Sequence, residues 1–65
     1  MFGSALREAR ENAGLSRGEL RLRILRFFEA SPSISAIRDL EIGEVKEPQA
    51  RNMVKFKRIF PNLKG

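Results

Sequence analysis

Sixty-five residues with a net charge of +5, no cysteine and no histidine describe one small domain, expected to span residues 1–65 and to be held by packing alone. A chain this short buries only about 60% of its unfolded surface, and neither disulfides nor the usual nitrogen and sulfur ligands of zinc are on hand to staple it. The same absences remove the common nucleophile–base pairs, so neither an enzyme nor a cofactor is expected.

No apolar run approaches the roughly 18 residues of a membrane span. No basic, then apolar, then small-residue signal opens the chain either, so cytoplasm is the expected compartment. The charge is uneven: residues 1–50 carry eight basic and eight acidic side chains, whereas Arg51, Lys55, Lys57, Arg58 and Lys64 follow with no acid. That end would attract a phosphate-bearing partner, although the same charges also suit a solvated helix face.

The apolar residues recur at helical spacing throughout, and no stretch alternates as a strand does. Phe2, Leu6, Ala9 and Ala13 form one stripe of a first helix over about residues 3–13, with Ser4 as its N-cap. Gly14 stands where a left-handed residue ends a helix, with Leu15 folding back. Ser16 and Glu19 have the spacing of a capping box and open a second helix over about 17–29. Its apolar face is Leu20, Ile24, Phe27 and Phe28. Ser31-Pro32-Ser33 is the clearest break. A third helix over about 33–42 is capped by either Ser31 or Ser33; a Ser33 cap points Ile34, Ile37 and Leu40 inward, and Gly43 ends the helix. A loop with Val45 tucked in leads to Pro48, near the first turn of a fourth helix over about 49–60. Pro61 interrupts that helix and leaves room for a short fifth turn.

Three features coincide: Leu6-Arg7-x-x-Arg10-x-x-x-Gly14-Leu15-Ser16-x-x-x-Leu20, then Ile37-x-x-Leu40-Glu41-x-Gly43, then Pro48 five residues later. With them the chain resembles the Cro and lambda-repressor-like helix-turn-helix family over about residues 2–60. The resemblance implies an all-α fold, a compact bundle of four to five helices. It also implies sequence-specific double-stranded DNA binding by a small transcriptional regulator of the phage-repressor kind, with the third helix in the major groove.

Carried over residue by residue, the resemblance makes Arg10 and Glu41 a structural ion pair. It makes Arg17 and Lys46 contacts to DNA phosphate, and Arg51, in the acid-free segment, is a further phosphate candidate. On the third helix, 100° per residue from an inward Ile37 turns Ser35, Asp39 and Ile42 outward with Arg38 on the flank. Ser35, Arg38 and Asp39 are therefore the base-reading candidates, Arg38 by bidentate bonding to guanine. A homodimer is expected, with Phe60 and Leu63 as contact candidates.

The sequence departs from the family in three respects: Arg21 stands where a small residue usually follows the leucine matching Leu20, the usual glycine of the turn is missing, and the spacing between the second and third helices is longer. Leu20 and Ile37 are seventeen residues apart, some six more than the family places between the matching positions. Either the second helix or its connection to the third must be longer. A longer helix 2 would bring Phe27 and Phe28 toward the core.

The alternative function is a protein-interaction module, antitoxin-like or an adaptor, that keeps the fold and captures an acidic protein through residues 51–65. The insertion, the neutral first fifty residues and Asp39 on the reading face favour it. RNA ranks below both, because there is no Tyr or Trp and the five phenylalanines read as core.

Overall fold

A computed structural model describes residues 1–63; Lys64, counted among the C-terminal cations, lies outside the described residues. Four helices follow one another: α1 (Phe2–Asn12), α2 (Arg17–Leu25), α3 (Ile34–Ile42) and α4 (Ala50–Ile59). Among the described residues there is no strand, and no helix is long and apolar enough to cross a membrane. The chain is thus all-α, as its apolar periods require.

The first helix begins earlier than its sequence signals suggest. Met1 is the N-cap and makes no side-chain bond, so Ser4 lies within the first turn instead of capping it. Burial of Phe2 explains the shift, because its ring packs on that of Phe56, with centroids 5.8 Å apart. The end of α1 follows expectation. Gly14 adopts φ +70°, its N–H bonds to the Glu11 carbonyl at 3.0 Å, and the N–H of Leu15 bonds to the Arg10 carbonyl at 3.1 Å. This crossed pair of bonds satisfies carbonyls that the helix end would leave free. Leu15 turns inward and is buried, whereas Ala13 is exposed and takes no part in the buried stripe.

The second helix starts with the expected capping box, in which Ser16 Oγ accepts from the Glu19 N–H at 3.0 Å and Glu19 Oε1 accepts from the Ser16 N–H at 2.9 Å. It ends at Leu25 rather than near residue 29. The reach of the chain accounts for this. The third helix begins beside the start of α2: a Cβ on Gly18 would stand 3.6 Å from Ile34 Cδ1. Had α2 run to residue 29, the chain would have to travel back about 16 Å along the axis and 8–10 Å across to the next helix. The peptides from 29 to 34 span at most about 18 Å. Unwinding after Leu25 supplies the missing length. The Ile24 carbonyl accepts from both Phe27 and Phe28, each at 3.0 Å, and residues 26–33 cross back without further helix. The extra residues between Leu20 and Ile37 therefore form a longer connection, not a longer helix 2.

The third helix is capped by Ser33, whose Oγ accepts from the Ala36 N–H at 3.0 Å, and it ends at Gly43 with φ +86°. Ile37 and Leu40 face the core, but Ile34 does not. The neighbour it meets is Gly18, which has no side chain to cover it. Val45 is also exposed rather than tucked in; the loop is fixed by its backbone, through the Val45 N–H to the Asp39 carbonyl at 3.1 Å. Pro48 precedes the helix, Gln49 is the N-cap of α4, and Ala50 is its first residue. After Ile59 a single turn carries the Leu63 N–H to the Phe60 carbonyl at 3.0 Å, so no fifth helix forms among the described residues.

One core joins all four helices. Phe2 and Leu6 of α1, Leu20 and Ile24 of α2, Ile37 and Leu40 of α3, Phe56 of α4 and Leu63 form the buried cluster, with Ala5, Ala9, Phe28, Met53, Ile59 and Phe60 packed around it. The crossing of α1 over α3 is set by Gly3. A Cβ there would lie 1.8 Å from the Leu40 carbonyl oxygen, so only hydrogen at this position lets the helices approach so closely.

Candidate nucleic-acid interface

Glu41 sits on the inner side of α3 near its C-terminal end, and its side chain is inaccessible to solvent. An unpaired carboxylate there would be strongly disfavoured. Two arginines meet it. Arg10 of α1 donates from Nε to Oε2 at 2.8 Å and from Nη2 to Oε1 at 3.0 Å, a fork on both oxygens. Arg17, the first residue of α2, donates from Nε to Oε1 at 3.0 Å. Arg10 uses its remaining nitrogen on the Leu15 carbonyl at 2.8 Å. One carboxylate therefore ties α1, the start of α2 and the end of α3 together. No buried side-chain nitrogen or oxygen among the described residues lacks a partner.

The ionisation follows the geometry. The Glu41 bond raises the Arg10 guanidinium above its ordinary value, against the opposing effect of burial. Burial pushes the Glu41 carboxyl up, but hydrogen bonds from Arg10 and Arg17, reinforced by their charges, outweigh it and hold the group below its ordinary value. The cluster is thus two cations around one anion, a net positive centre at the seam of three helices.

This cluster fixes one side of α3 and leaves the other open. Ser35, Arg38 and Ile42 are exposed, as 100° per residue demands, and Ile34 joins them. Asp39 is half-buried, and its Oδ1 accepts from Arg38 Nη2 at 3.2 Å. The two charged base-reading candidates are therefore paired with each other. Lys46 is exposed in the loop after α3, between Glu44 and Glu47, and Arg51 is exposed in the first turn of α4. Arg17 is placed differently from a free phosphate contact. It is half-buried and its Nε is committed to Glu41, which leaves only the rest of its guanidinium for an outside anion.

The expected dimer contacts are mostly used within the chain. Leu63 is buried and Phe60 half-buried, together forming one wall of an open cleft of about 560 Å³ whose other wall is Ala5, Glu8, Ala9 and Asn12 of α1.

The long connection is held from the side by α4. The Arg58 guanidinium lies 3.9 Å from the centre of the Phe27 ring, and Lys55 Nζ lies 5.9 Å from that of Phe28. Phe28 packs on the core, whereas Phe27 is half exposed beneath its arginine. Arg58 therefore stacks on the connection that precedes α3, with Lys55 at the edge of contact, a placement their charge alone does not reveal. Gly3 was equally hidden in the sequence, although a glycine inside a helical window carries a propensity cost of about 1 kcal/mol and so signals a packing reason.

No protein-family model, curated protein or solved structure matches the chain.

Proposed function

We propose that the protein is a sequence-specific double-stranded DNA-binding module of the Cro and lambda-repressor-like helix-turn-helix kind, acting as a small transcriptional regulator. The observation that carries this reading is the Arg10–Glu41 fork at 2.8 and 3.0 Å. It joins two of the three sequence features on which the family resemblance rests, and it anchors α3 by its inner side while Ser35, Arg38 and Ile42 are exposed on the other. An α-helix with its side chains is about 10–12 Å across, which suits the major groove, about 12 Å wide. Arg38 is the guanine reader, Asp39 orients it, and Lys46 and Arg51 contact phosphate. Because Arg17 already serves Glu41, its phosphate contact is secondary. Two copies on paired half-sites supply the affinity that one module lacks.

Despite the longer connection, the start of α3 lies beside the start of α2, where Ile34 approaches Gly18. One observation favours the alternative of a protein-interaction module: Ile34, Ile42 and Val45 are large, apolar and exposed on or next to α3.

The test begins with selection of a bound sequence from a random duplex pool. Titrations at two salt concentrations on the selected and scrambled duplexes follow. Arg38→Ala is expected to cost about 1–3 kcal/mol on the selected duplex and to relax preference at one base pair. Neutralising Lys46 or Arg51 is expected to weaken all duplexes alike and to lower the salt slope by about one unit for each. Equal affinity for both duplexes, unaffected by Arg38→Ala, would overturn the proposal in favour of the interaction module.

A further inference from the structure

Ile34, Arg38 and Ile42 are spaced four residues apart on α3, and all three are exposed, the isoleucines at 51% and 53%. Successive members are rotated by only 40° and separated by about 6 Å along the axis, so they form one narrow stripe about 12 Å long. The core does not need these isoleucines, since Ile37 and Leu40 already fill α3's share of it. Solubility does not explain them either, because polar residues there would serve it better. The stripe is apolar at both ends and cationic in the middle, with the cation steadied by Asp39 at 3.2 Å.

We infer that this stripe reads the C5-methyl groups of thymine on either side of a guanine, with Ile34 and Ile42 as the methyl contacts and Arg38 as the guanine contact. The inference rests on the DNA-binding reading and specifies its target. The thymine methyl is the one apolar group that an unmodified major groove presents. A line of apolar, cationic and apolar side chains therefore has a matching line of methyl, guanine edge and methyl. Base pairs rise about 3.4 Å each along a strand, so the 6 Å between stripe members corresponds to about two base-pair steps. A duplex is favoured over a protein partner because the centre of the stripe is an exposed arginine, whose guanidinium matches the O6 and N7 acceptors of guanine.

The experiment uses the selected duplex and replaces its thymines by uracil one at a time, which removes the methyl and keeps the base pairing. Wild-type protein is expected to lose about fourfold in affinity for each contacted methyl removed, at two positions flanking the guanine. Ile34→Ser and Ile42→Ser change half-exposed side chains; with helical content and urea midpoint checked first, each is expected to abolish the uracil penalty at one position only. Placing 5-methylcytosine at a non-thymine position equivalent to a contacted one is expected to raise wild-type affinity but not that of the matching variant. Equal binding of thymine and uracil duplexes would overturn this inference and leave the DNA-binding reading standing. A pool yielding no enriched sequence would overturn both. Loss of a protein complex in the serine variants, with unchanged DNA binding, would assign the stripe to a protein partner instead.

Discussion

Replacing Arg10 by alanine should damage the fold far more than replacing Arg17, although both arginines bond the same carboxylate. Arg10 makes two bonds to Glu41 and one to the Leu15 carbonyl, all at 3.0 Å or less. Its side chain is 11% exposed, against 31% for Arg17. Removing it leaves a solvent-excluded carboxylate with a single partner and frees a buried carbonyl, a loss expected at about 3–5 kcal/mol. Arg17 supplies one bond from a position that water partly reaches, which argues for about 1 kcal/mol. A domain of this size has a total stability of only about 3–10 kcal/mol, so Arg10→Ala should remove much of it and lower the Tm by about 12 °C or more. Arg10→Lys should fail to rescue, because a point-like ammonium cannot make the fork. Urea denaturation of Arg10→Ala, Glu41→Ala and the double variant gives the coupling between the two residues, expected to be well above 1 kcal/mol. Coupling near zero, or equal losses for Arg10→Ala and Arg17→Ala, would refute the view that this fork holds the three helices together.

Acid should weaken the same cluster. Glu41 titrates below its unfolded value of about 4.3, so its contribution is complete above that pH and is lost as the pH falls through the lower folded value. Tm against pH should therefore drop on acidification below about pH 4.3, with less of a drop in Glu41→Gln; a parallel profile would refute the assignment. Comparison with Glu19→Gln separates the share of Glu19, which backbone and side-chain bonds with Ser16 also lower. Gly3→Ala should destabilise by about 2 kcal/mol despite alanine's better helix propensity, since its Cβ would fall 1.8 Å from the Leu40 oxygen; a gain in urea midpoint would contradict the close crossing. Phe28→Ala should cost about 3 kcal/mol and Phe27→Ala about 1 kcal/mol or less, because only Phe28 packs on the core; reversed denaturation midpoints would refute that division.

The sequence by itself determined most features that depend on neighbouring residues, the start of α1 excepted, where Met1 and not Ser4 is the N-cap. Helix spacing, the Ser16–Glu19 box, the Ser33 cap and the glycines at 14 and 43 act over one turn of chain, and each stands where its local pattern requires. Arg10 and Glu41 were legible as a pair only through the family resemblance; their fork spans 31 residues, and no local rule connects them. Tertiary structure alone decided the rest. The stop of α2 at Leu25 was fixed by where α3 had to begin, since its local apolar pattern favours continuation through Phe28. Ile34 was left exposed because its neighbour is a glycine, and Gly3 became indispensable because a carbonyl of another helix approaches it. Arg17 was drawn to Glu41, and Arg58 to Phe27, by partners 24 and 31 positions away in the chain. Local rules set the helical spacing and most of the caps, whereas the stop of α2 and the pairing of distant residues follow from how the helices pack.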